Sequence, residues 1–223
     1  MKEFKNIKNF IFDCDGVLYK DLEAVFGQVS KRMTKYIAKK LNLDLKKAKE
    51  LQTAYFHKYN TSLNGLMIHH NIDASEFLKY VHEIDLNFME KDLVLKEELT
   101  KLDAKKFVFT NGSHEHIVNI TKNLGIDGLF DDAFDITDCN YIPKPEIEPY
   151  KKLIHKFNIN PQETVFIEDI AKNLEPAKKL GMKTVWLIND EYWGKKDSEK
   201  DFIDLKIKSL SGFLKEINIL KAA

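Results

Sequence analysis

Arginine is almost missing from this chain. Of its 35 basic side chains, Arg32 alone is a guanidinium. A phosphate site here must therefore rest on lysine, backbone N–H groups and metal, not on planar bidentate forks. Cysteine is scarce as well. Cys14 and Cys139 are too few for a disulfide framework and suit small packing residues in a reducing compartment. Net charge is absent, since 35 acidic residues balance the 35 basic ones. No overall field favours a nucleic-acid polymer or an anionic membrane, although a few local groups suffice to hold a small anion. No apolar run reaches signal or transmembrane length, and neither repeats nor low-complexity tracts are found. These absences predict a cytoplasmic protein that works without membrane or nucleic acid; a monomer or weak homodimer is the expected state.

What is present is a rhythm. Phe10-Ile11-Phe12, Phe107-Val108-Phe109, Val165-Phe166-Ile167 and Val185-Trp186-Leu187 are short, aromatic and β-branched, as strands buried on both faces are. A weaker strand is expected around Ala133–Ile136. Helical patterns over 113–124, 147–157 and 171–180 separate them, which predicts an α/β fold with a Rossmann-like parallel sheet in the order 5-4-1-2-3. From about 20 to 90 the rhythm breaks. Val29, Met33, Tyr36 and Ile37, then Phe77, Val81 and Ile84, fall at helical spacing, and Asp73 with Glu76 suggests a cap before the second set. The expected division is an α/β core of 1–18 and 91–223 and an inserted all-helical cap domain of 19–90. The polar stretch 189–202 reads as a surface loop.

In open parallel sheets, ligands bind outside the carboxyl ends of the strands. The first run ends in Asp13-Cys14-Asp15-Gly16, the second in Thr110-Asn111-Gly112, and the third in Glu168-Asp169 with Asn173 beyond. Lys144 lies between prolines just before a helix. Two carboxylates as close as Asp13 and Asp15 resist ionising together without a compensating cation, and oxygen-only ligation suits Mg²⁺. The set fits a small phosphate ester. Asp13 would attack phosphorus as nucleophile, and Asp15 would serve as acid and then base. Lys144, a helix N-terminus and Mg²⁺ would offset the charge on the phosphoryl oxygens.

"DCDGVLY", "TNGSHEH", "PKP" and "EDIAKN", in that order, resemble the four motifs of the haloacid dehalogenase-like superfamily. The helical insert sits where that superfamily carries its cap. "YNTSLNGLMIHHNID", "FLKYVHEIDL" and "EDIAKNLEPAKKLGMKTVWL" are similar to its bacterial and yeast pyrimidine 5′-nucleotidase branch. The resemblance implies Asp13 as nucleophile and Asp15 as acid and base. It also implies phosphate ligands at Thr110, Asn111, Gly112 and Lys144. Mg²⁺ would be held by Asp13, the Asp15 backbone carbonyl and Asp169, with Glu168 behind them or acting through water. The implied substrate is a small phosphorylated metabolite, a pyrimidine nucleoside 5′-monophosphate.

Other readings compete. A phosphosugar or phosphoglycolate phosphatase, or a phosphosugar mutase, would share the two aspartates. A non-catalytic nucleotide-binding module would be expected to lack one of these carboxylates. His114 and His116, at i and i+2, face different sides of their helix and read as solvated. His69 and His70 likewise point apart. Tyr55 and Tyr59 are candidates for lining a substrate pocket, and Thr61, Ser62 and Asn64 for bonding a base edge.

Overall fold

The computed structural model describes residues 1–222. Alternation decides the sheet. In β1 (Asn9–Phe12), Phe10 and Phe12 enter one apolar cluster and Ile11 the opposite one, because successive side chains of a strand point to opposite faces. β2 (Lys105–Phe109), β3 (Asp132–Phe134), β4 (Thr164–Glu168), β5 (Lys183–Leu187) and β6 (Leu205–Ile207) complete it. Among the described residues they form one six-stranded sheet in the order β3-β2-β1-β4-β5-β6, and all the pairings are parallel. The order expected for the first five strands is observed.

Three local expectations need correction. The sheet continues past β5 into β6, a half-buried edge strand carrying the exposed Lys206, which the apolar-run criterion passes over. The expected loop of 189–202 contains a short helix, Tyr192–Lys195. The weak strand ends at Phe134 because Asp135 caps a 3₁₀ turn, Ile136–Cys139, with its side chain.

Between β1 and β2 lie α1 (Leu22–Leu41), α2 (Leu45–Tyr59), α3 (Ser62–His70), α4 (Ala74–Val81) and α5 (Leu93–Lys101). Side chains delimit the first four. Asp21, Asp44, Thr61 and Asp73 each accept a backbone N–H at a helix start, satisfying donors that the helix cannot. Asn42, Asn60 and Asn71 close α1, α2 and α3 in the left-handed conformation, which asparagine tolerates better than most residues. Val29, Tyr36, Ile37, Leu66, Phe77 and Val81 pack into a cluster of their own. Tyr36 and Phe77 meet edge to face at 5.2 Å.

α6 (His114–Leu124), α7 (Ile147–Phe157), α8 (Leu174–Lys179) and α10 (Leu210–Ala222) flank the sheet, with α9 being the short Tyr192–Lys195 helix. Among the described residues no helix is long and apolar enough to cross a membrane.

Candidate active site

At the carboxyl end of β1 the chain turns sharply into the insert. Gly16 makes the turn possible: its φ is +77°, and a Cβ there would overlap the Asp169 carboxylate. Asp13 stays in register with the sheet through its N–H to the Ile167 carbonyl at 2.9 Å. The strand ends thus bring Asp13, Lys144, Glu168 and Asp169 together, all buried.

Lys144 is the centre of this group. Its Nζ lies 2.9 Å from Asp13 Oδ1 and 2.7 Å from Glu168 Oε2, and donates to the Phe109 carbonyl at 3.0 Å. Burial opposes its charge, but Asp13 and Glu168 outweigh burial and hold the ammonium above the ordinary lysine range. Asn111 fixes the lysine's backbone from both sides. It accepts the Lys144 N–H at 2.8 Å and donates to the Lys144 carbonyl at 3.3 Å. The expected phosphate ligand Asn111 is therefore already engaged in positioning Lys144. Thr110 is buried with Oγ1 accepting the Gly112 N–H at 2.9 Å.

The carboxylates divide by partner. Glu168, fully buried, accepts from Lys144 and Asn173 on one oxygen and from the N–H groups of Asp169 and Ile170 on the other. Burial alone would raise its pKa, but Lys144 lowers it. Asp13 and Asp169 are pushed well above the usual carboxylate range by burial and then by the Glu168 charge. Asp169 is oriented by Asn189, whose side chain donates to Oδ2 at 2.7 Å, and by Trp186, which donates to its carbonyl at 2.8 Å. Asp13, Glu168 and Asp169 offer oxygens within 4.8 Å of one another. Three carboxylates facing one ammonium form an oxygen-only, net negative donor set, which fits a hard divalent cation. Glu168 already uses both oxygens, so Asp13 and Asp169 have the capacity to ligate.

Asp15 has a different neighbourhood. Tyr19 donates its hydroxyl to Asp15 Oδ1, and His116 Nε2 lies 2.8 Å from the same oxygen. Burial works to raise the Asp15 pKa, but His116, Tyr19 and more distantly His82 outweigh it and bring it to about 2. His116 is thus not solvated as its spacing suggests: it is 1% exposed, while His114 is exposed. A signal was present, since His116, Ile120 and Leu124 share one apolar stripe of α6. Burial, followed by the Asp15 and Asp13 charges, pushes the Cys14 thiol up and leaves it a packing residue.

The insert's candidates make hydrogen bonds to one another and to neighbouring insert groups. The Tyr55 and Tyr59 hydroxyls meet the Nε2 atoms of His70 and His69. Thr61 Oγ1 accepts from Asn64 N, Ser62 donates to the Gln52 carbonyl, and Asn64 donates to the Tyr59 carbonyl. Asn60, beside them, reaches the α/β part. It donates to Glu146 at 3.3 Å and accepts from Lys172 at 3.1 Å, and the Lys172 ammonium also sits over the Phe56 ring. Sequence reasoning passed over this residue.

Residues 7–181 match the family of haloacid dehalogenase-like hydrolases, and the chain belongs to that family. Glyceraldehyde 3-phosphate phosphatase of Methanocaldococcus jannaschii is 28% identical over 240 residues, spanning 96% of this chain and 99% of that protein. A haloacid dehalogenase-like phosphatase from Thermococcus onnurineus superimposes with a TM-score of 0.64 at 20% identity, covering 95% of this chain and 98% of its own. The hydrolase YfnB from Bacillus subtilis, bound to magnesium, gives a TM-score of 0.58 at 16% identity over 95% and 99% of the two chains. At these identities the solved structures show the fold.

Proposed function

We propose that this protein is a Mg²⁺-dependent phosphatase that hydrolyses small phosphate monoesters through an aspartyl-phosphate on Asp13. The observation that carries the reading is the buried pair of Asp13 and Lys144 at 2.9 Å, at the sheet edge where the fold binds ligands. Lys144 holds its charge where phosphoryl oxygens would gather, and the Thr110 hydroxyl and the Asn111 backbone N–H offer further donors, the Gly112 N–H being taken by Thr110 Oγ1. Asp13 and Asp169, with the Asp15 carbonyl, would hold the cation; when bound, it neutralises phosphoryl charge. Asn111 keeps Lys144 in place, and Glu168 holds Lys144 and the Asp169 turn. Asp15 moves the proton, first to the leaving oxygen and then from water. The helices of 19–90 serve in this reading as a cap over a core of 1–18 and 91–223, excluding water on closure.

Two substrate classes have support. The three stretches similar to the pyrimidine 5′-nucleotidase branch favour a pyrimidine nucleoside 5′-monophosphate. The likeness to glyceraldehyde 3-phosphate phosphatase across nearly the whole of both chains favours a triose or sugar phosphate. A phosphate-release screen over UMP, CMP, triose and hexose phosphates and phosphoglycolate, with and without Mg²⁺, tests both. Metal-dependent release selective for UMP and CMP supports the nucleotidase, and selective release from triose phosphate supports the alternative. No release from any ester, or release unchanged by thorough chelation, contradicts the proposal.

A further inference from the structure

We propose that His116 is a positioning residue for Asp15, and that His82 of the helical insert holds His116 in place. The inference rests on the reading of Asp15 as the acid and base of phosphoryl transfer. His116 Nε2 stands 2.8 Å from Asp15 Oδ1. A carboxylate oxygen only accepts, so Nε2 carries the proton and donates it. Tyr19 donates to that same oxygen. Among the described residues Oδ2 has no protein partner, so two donors on Oδ1 turn Oδ2 outward as the oxygen that carries the reacting proton.

His116 itself lacks a second hydrogen bond. Its Nδ1 is buried with no partner, so no hydrogen bond fixes the tilt of the ring. Stacking does. The His82 ring lies face to face with it, centroids 4.4 Å apart and planes 18° from parallel. His82 is anchored through Nδ1 to Ser113 Oγ at 2.8 Å. The same Ser113 oxygen caps α6 by accepting the His116 backbone N–H at 3.3 Å. His82 closes the end of α4, so the insert contributes directly to the geometry of the acid.

The consequence falls on one step. Asp13 attacks phosphorus, the bond from phosphorus to the leaving oxygen breaks, and its electron pair stays on that oxygen, which takes a proton from Asp15 Oδ2. Because His116 and Tyr19 favour the Asp15 carboxylate in the free protein, Oδ2 gains that proton from the singly protonated phosphate ester before the bond breaks. The carboxylate left on Asp15 is stabilised by His116 and Tyr19. In hydrolysis Asp15 takes a proton from water, the resulting hydroxide attacks phosphorus, and the acyl-phosphate bond breaks to restore the Asp13 carboxylate and release phosphate. Misplacing Asp15 therefore hurts most where the leaving oxygen cannot depart unprotonated.

The test compares kcat/KM for an alkyl phosphate with that for p-nitrophenyl phosphate, whose phenolate leaves without a proton. Asp15→Asn is expected to cost the alkyl ester roughly 10²–10⁴-fold and the aryl ester far less. His116→Ala should show the same selectivity at about 10–100-fold, and His116→Gln, which keeps an N–H donor, should recover most of the loss. His82→Ala should be selective too, by a smaller factor. Should His116→Ala fail to fold, His116→Gln against His82→Ala carries the comparison. Equal losses on both esters in the histidine variants, with Asp15→Asn still selective, overturn the positioning role alone. An unselective Asp15→Asn overturns the reading of Asp15 as acid, and this inference with it.

Discussion

In the α/β part, polar side chains converge: Asp13, Lys144, Glu168 and Asp169 lie buried against one another at a single sheet edge. In the insert they disperse. Thr61, Ser62, Asn64 and Asp73 each bond to backbone groups within the helical insert, and most of the apolar side chains form a cluster that Ile136 joins from the α/β part. The first arrangement concentrates like charge and calls for a cation to complete it. The second satisfies itself. In the proposed function chemistry accordingly belongs to the α/β part, while the insert contributes shape and, through His82 and Asn60, contacts with Ser113, Glu146 and Lys172.

The contrast can be tested at several strengths. Asp13→Asn should abolish phosphate release while leaving the melting temperature near that of the parent, because an amide cannot form the phosphoenzyme. Retained turnover would dissolve the distinction between the two regions. Lys144→Ala should lower turnover by roughly 10²–10³-fold and also destabilise the protein, since it leaves Asp13 and Glu168 buried without their cation. Lys144→Arg should rescue poorly because a planar fork differs from a compact ammonium. Full activity in Lys144→Ala would mean that the phosphate lies elsewhere.

Gly16→Ala forces a side chain onto the Asp169 carboxylate at a positive φ. It should raise the Mg²⁺ concentration needed for half-maximal rate by about 10–100-fold, as lost support of a metal ligand does. An unchanged metal requirement would separate Asp169 from the cation. In the insert, Thr61→Ala, Ser62→Ala and Asn64→Ala should cost stability, about 0.5–2 kcal/mol each, read by chemical denaturation. The ratio of UMP to triose phosphate turnover should hold. A shift in that ratio would assign base reading to these groups after all.

The smallest effect concerns pH. Burial raises the Asp204 pKa, but the Lys178 and Thr184 hydrogen bonds outweigh it, and the folded value lies below the usual one. A carboxyl depressed on folding stabilises the protein above its unfolded pKa, and that contribution is lost as pH falls through the folded value. Asp204→Asn should therefore lower the melting temperature modestly at neutral pH, and the difference should shrink in acid. A difference that grows on acidification would contradict the sign.

How much of this was legible in the sequence follows from the same contrast. Asp13, Thr110, Glu168 and Asp169 each follow or end an apolar run, so strand periodicity alone locates them at one edge. Lys144 follows from its place between prolines ahead of a helix. His116 was missed because its spacing from His114 shows only that the two face differently; the apolar stripe it shares with Ile120 and Leu124 is the signal that marks it as the buried one. His82 and Asn60 lie in stretches that carry the family resemblance, but nothing there singles either out: each acts across the boundary between insert and core, and no local pattern marks a residue for that. β6 escaped because an edge strand needs few apolar residues.

The most direct measurement is to quench the reacting protein in acid and map the phosphoryl group by mass spectrometry. Asp15→Asn reacting with p-nitrophenyl phosphate is the useful background, since formation of the acyl-phosphate is spared while the attack of water is slowed, and the adduct should accumulate. A substrate-dependent phosphoryl adduct is expected on Asp13, lost on Asp13→Asn. Metal-dependent phosphate release with no adduct on Asp13 under any quench condition, or an adduct on another residue, would contradict that expectation.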